Sequence, residues 1–148
     1  MGTLYLDGKE VLADVYMKGT WQAVGTITLP PVTLDGELDA AANSIGFTQQ
    51  TATGDGTTTV DWRAGNKFYF TFGAANETFT FTAPTKPGNF LLVLKQDGVG
   101  SRTSTFPGTV LWGGGVAPTL STAAAAVDII SFYYDGTNYF GTYSLDFS

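Results

Sequence analysis

Neither cysteine nor histidine occurs among the 148 residues. Without thiols there is no disulfide, no thiolate nucleophile and no cysteine-held zinc, and without imidazole the commonest general base and a common metal ligand are missing. Charge is also sparse, at 14% of residues, and only three glutamates are present, Glu10, Glu37 and Glu77. Glycoside hydrolysis needs two carboxyl groups roughly 5–10 Å apart across a sugar cleft, and none of the three sits among clustered acids and aromatics. The Gly100-Ser101 pair lies outside a Gly-x-Ser-x-Gly elbow, and a serine nucleophile would lack its histidine. Gly113 to Gly115 lacks the Lys-Ser/Thr of a phosphate cradle. The chain reads as a non-enzyme that uses no cofactor and no metal. No apolar run of ~20 residues and no basic-then-apolar start is present, so neither membrane insertion nor a secretory signal is expected.

What is present is apolar and aromatic. Hydrophobic residues make up 43% of the chain, with eleven Phe, seven Tyr and three Trp, and the polar remainder is mostly Thr, Ser, Asn and Gly. This is a globular composition, of a length suited to one sizeable core. Thirteen acids against seven bases give a net charge of −6, which repels nucleic-acid phosphate and anionic membranes. Neither is expected as a partner.

From Val60 onward the hydrophobic period is two. Phe68, Phe70 and Phe72 alternate with Tyr69 and Thr71, and Phe79 and Phe81 alternate with Thr78, Thr80 and Thr82. That pattern predicts strands with one buried face, and the five residues Gly73 to Glu77 between the runs fit a hairpin connection. Phe90 to Leu94 is apolar throughout, as in a central strand covered on both faces. Asp135-Gly136-Thr137-Asn138 separates two further strand patterns as a hairpin turn. Thr51 to Thr59 reads as an exposed polar loop. The Ala123 to Ala126 run, confined between Pro118 and a β-rich stretch, has room for only a short turn. The predicted fold is all-β, an antiparallel β-sandwich, with a jelly roll as one arrangement of it.

The N-terminal portion has a different texture. Leu4-Tyr5-Leu6-Asp7-Gly8-Lys9 is echoed eleven residues later by Val15-Tyr16-Met17-Lys18-Gly19-Thr20, which predicts a β-ribbon turning at Gly8 and Gly19. A two-strand ribbon is marginal alone and needs a surface to lie on. Pro30 and Pro31, within Ile27 to Leu34, favour a stiff extended hinge. The following Asp35 to Asn43 allows a helical turn or two at most. The expected division is an arm over residues 1–29 and a β-sandwich domain over 30–148, with Leu4, Tyr5, Leu6, Val15, Tyr16 and Trp21 as the partner-binding residues of the arm.

Among the acids, Asp97 and Asp135 precede glycines in tight-turn patterns, where Asp accepts local backbone bonds and Gly takes a positive φ. Asp128, before a strand, reads as a backbone-satisfying acid. No dense Asp-x-Asp-x-Asp loop is present. Trp62, and Trp112 beside its three glycines, are the candidate stacking platforms for a sugar ring; core packing is the alternative for each.

One extended resemblance adds to this reading. The run Leu91 to Leu94 is followed by Lys95-Gln96-Asp97-Gly98, Gly100-Ser101-Arg102, Trp112, Gly114 and Pro118-Thr119-Leu120. After these come Ala126-Val127-Asp128-Ile129, Phe132-Tyr133, Asp135 to Asn138, Gly141 and Asp146-Phe147. In order and spacing, these landmarks resemble a β-rich module of tailed-bacteriophage virion proteins of tail, fibre and accessory type. The resemblance implies a non-enzymatic structural protein of the virion, assembled in the host cytoplasm. It implies a capsid decoration protein or a short fibre or tail component, joined to other virion proteins through its arm. Such proteins commonly sit on three-fold axes, so a homotrimer is expected. The alternative is a host-receptor module of a tail fibre that binds a surface glycan.

Overall fold

The structure, a computed structural model, describes residues 46–147. The arm with its ribbon, the Pro30-Pro31 hinge, the stretch 35–43 and the boundary at residues 29 and 30 lie outside the described residues. Among the described residues nine strands follow one another: β1 (Gln50–Gly54), β2 (Thr57–Asp61), β3 (Lys67–Phe72), β4 (Glu77–Thr82), β5 (Gly88–Lys95), β6 (Ser104–Thr105), β7 (Val110–Trp112), β8 (Val127–Tyr134) and β9 (Tyr139–Phe147). They form a six-stranded sheet in the order β1-β3-β5-β8-β9-β7 and a three-stranded sheet in the order β2-β4-β6.

The fold is all-β, as the alternation predicts, but its strand directions are mixed. From β1 to β6 the chain changes sheet at every connection, so strands of one sheet return in the same direction. The pairs β1/β3, β3/β5, β2/β4 and β4/β6 are all parallel. Parallel neighbours need a long crossover, and here each crossover is itself a strand of the opposite sheet. The result is three coils of a short solenoid, each burying its inner face only in company with the others. Antiparallel pairing is confined to β5/β8 and β8/β9, and β7 closes the large sheet parallel to β9. These directions differ from those of a jelly roll, which is antiparallel.

Two local expectations are corrected. Gly73 to Glu77 does not close a hairpin, because β3 and β4 belong to different sheets. Thr51 to Thr59 is not a loop: it holds most of β1 and the start of β2, joined by Asp55 and Gly56. Successive coils are stitched at that corner. Gly73 N donates to the Gly54 carbonyl at 2.6 Å, and Thr78 N to the Gly56 carbonyl at 2.8 Å. The buried Glu77 accepts from Gly56 N through Oε2 at 2.8 Å. The Thr59 and Thr80 hydroxyls, in register on neighbouring strands, bond at 2.8 Å. The Asp135–Asn138 hairpin is as expected, with Tyr134 paired to Tyr139, and Ala123 to Ala126 forms a short turn.

The core lies between the sheets and is largely aromatic. Phe70 meets Phe79 of the opposite sheet edge-on at 4.9 Å, and Phe132 meets Phe81 at 5.5 Å. Fully burying each such side chain contributes about 1.5–3 kcal/mol. β5 is central in its sheet, with Phe90, Leu92 and Leu94 buried; Leu91 and Val93 are half-buried on the outer face, so the cover on that side is partial.

Candidate functional surface

The two tryptophans read as stacking platforms part company. Trp62 is 2% exposed. Its ring lies 5.0 Å from Phe90, 5.5 Å from Phe81 and 6.2 Å from Phe132, so no face is open to a sugar and that role is withdrawn. Trp112 is half-buried, 5.1 Å from Phe106 and 6.1 Å from Phe132, and a Cβ on Gly141 would come within 2.6 Å of it. Leu4, Tyr5, Leu6, Val15, Tyr16 and Trp21 lie outside the described residues.

The acids hold backbone. Asp135 Oδ1 accepts from Thr137 N and Asn138 N at 2.7 and 2.8 Å, and Gly136 takes φ 108. These bonds favour the carboxylate and hold its pKa below the usual range. Asp97 Oδ1 accepts from Val99 N and Gly100 N, and its Oδ2 pairs with Arg102 at 2.8 Å. The guanidinium bond and then the amides lower its pKa. The positive φ of this turn falls on Gly100, at 81, and not on Gly98. Asp61 is held down at about 2 by its bond to Arg63. Buried Asp128 accepts from Ser121 N, the Ser121 hydroxyl and Asp146 N at 2.6 to 2.9 Å. That fastens the loop before β8 to the bulged end of β9. Among the described residues no group of three or more acids is gathered to hold a metal ion, and no helix is long and apolar enough to cross a membrane.

The feature that residue types alone did not reveal is the outer face of the large sheet. Register sets Lys67, Leu91, Ser131 and Thr142 side by side on β3, β5, β8 and β9. The next row holds Asn89, Tyr133, Phe140 and Leu111 on β5, β8, β9 and β7. Tyr133 and Phe140 are 51% and 45% exposed, with rings stacked at 6.3 Å and an interplanar angle of 26°. Asn66, Lys67, Asn89, Leu91, Ser131 and Thr142 join them around a shallow depression of about 540 Å³. Among the described residues no carboxylate lines it. The sequence signal was available in the uninterrupted apolar run Leu91 to Leu94 and the aromatic pairs Tyr133-Tyr134 and Tyr139-Phe140, which load both faces of their strands.

A family profile described as "Putative phage tail fibre C-terminal domain" matches residues 64–139, just over half of the chain. The match runs from the approach to β3 to the first residue of β9. No curated protein and no solved structure matches.

Proposed function

The chain belongs to the phage tail fibre C-terminal domain family, whose members are virion components, and from that membership we propose that it is a non-enzymatic structural part of a tail fibre. The extent of the match carries this reading. Residues 64–139 include β3 to β8, strands of both sheets, so the family domain is the β body itself rather than an appendage to it. A fibre role fits better than capsid decoration for the same reason.

The β body is the displayed part, and the segment bearing Leu4, Tyr5, Leu6, Val15, Tyr16 and Trp21 joins it to other virion proteins. The assembled form is a homotrimer, built in the host cytoplasm and carried on the particle. Three experiments test this. Gold-labelled antibody against the chain should decorate tail fibres, and label confined to the head would reject the reading. Replacing Tyr5, Tyr16 and Trp21 together by serine should leave the β-sheet circular dichroism intact while abolishing incorporation into particles. Normal incorporation would reject the docking role, and sedimentation equilibrium checks the trimer.

A further inference from the structure

We propose that the depression on the outer face of the large sheet is a binding site for an oligosaccharide bearing a carboxylate. The inference goes beyond the structural role and concerns a different surface. Its two rows supply what a pyranose ring presents. Tyr133 and Phe140, exposed and stacked, form a shelf for the ring's C–H face. Ser131 and Thr142 on the adjoining row, with Asn89 at the rim, supply hydroxyl and amide groups that both donate and accept. At about 540 Å³ the depression falls within the range of small-molecule sites, ~300–1,000 Å³.

Charge selects among saccharides. Among the described residues Lys67 is the only charged side chain lining the depression, and it forms no ion pair with any of them. Its ammonium lies 5.9 Å from the centre of the Phe47 ring. In a chain of net charge −6 a depression whose described lining holds one cation and no acid is an electrostatic exception, and it matches a single carboxylate. A long polyanion would meet repulsion from the molecule as a whole. The same charge argues against a second copy seated face to face, since a two-fold pairing would bring Lys67 and the in-face Lys95 toward their own kind with no acid on these rows to offset them.

The test uses the full chain on an array of uronate- and nonulosonate-bearing glycans beside their carboxyl-reduced counterparts, followed by calorimetry on the best binder. The expected result is retention of at least one acidic glycan, about tenfold more tightly than its reduced form. Lys67→Gln should erase that preference. Tyr133→Ala and Phe140→Ala should each weaken both forms by about tenfold, and Thr142→Glu should abolish binding of the acidic form. If either aromatic variant fails to fold, Thr142→Glu and Lys67→Gln decide. Absence of acidic-glycan binding, or binding unchanged by Thr142→Glu, would overturn the proposal. So would dissociation of the assembly by Tyr133→Ala, since the face would then lie between copies. Label on fibres without glycan binding would sink this inference and leave the fibre role standing.

Discussion

Tyr139 illustrates how much a single position can carry. Its ring is 2% exposed, stacked on Tyr134 at 4.4 Å and set edge-on to Phe81 at 5.1 Å, yet its hydroxyl has no hydrogen-bond partner among the described residues. Burial, with Tyr134 adding to it, raises the phenol to about 12 from the ordinary value of 10.0. The neutral form is therefore favoured in the fold. Its stabilising effect is complete below pH 10 and is lost as pH rises toward 12. Tyr139→Phe should leave stability at pH 7 unchanged or raised by up to ~1 kcal/mol, and should flatten the alkaline fall in Tm between pH 10 and 12. Urea titration at pH 7 and thermal scans against pH check both. At this scale the sequence was most legible where chemistry is local: Asp135-Gly136 forms the expected turn because side chain and backbone partner lie two or three residues apart. It was least legible for Trp62, whose surroundings come largely from Phe81, Phe90 and Phe132 on β4, β5 and β8, all remote along the chain.

Individual strands were readable; their partners were not. Alternation located β3, β4, β8 and β9, but the same pattern serves a hairpin and a sheet-switching coil, and a four-residue connection permits either. β1 and β2 were missed because their Thr-rich faces carry little apolar contrast: Val60 is the one fully buried side chain in the pair. Beyond the β1/β3 and β2/β4 ladders, the first two coils are joined at the corner where Glu77 meets Gly56. Glu77→Ala removes the acceptor of a partly buried amide, so a loss of about 1 kcal/mol is expected, with faster hydrogen exchange at Gly56 than within β2. Unchanged exchange at Gly56 would mean that the corner is held by the Gly73 and Thr78 backbone bonds alone.

For the molecule as a whole, the aromatic network is the common element of both sheets and of the β8/β9 extension. Phe132 sits within 6.5 Å of Trp62, Phe81, Phe106, Trp112 and Tyr139, and it is 2% exposed. Phe132→Ala should cost about 3–5 kcal/mol, a large share of the ~5–15 kcal/mol that holds a domain folded. A drop in the urea midpoint without a change in m-value would show that the loss is shared cooperatively between coil and hairpin. Composition foretold the aromatic core and the acidic balance, whereas the lining of the outer-face depression depends on which strands become neighbours and emerged only with the ladders. The far rim of the large sheet has a consequence of its own. β7 is three residues long, ends in the exposed Gly113–Gly115 turn, and keeps Trp112 pressed over Gly141. A stub of that length offers few free peptide groups of its own, but it covers only Tyr139 to Gly141 of β9, so among the described residues the edge over 142–147 is left open on that side and is where an added strand would pair when many copies crowd together.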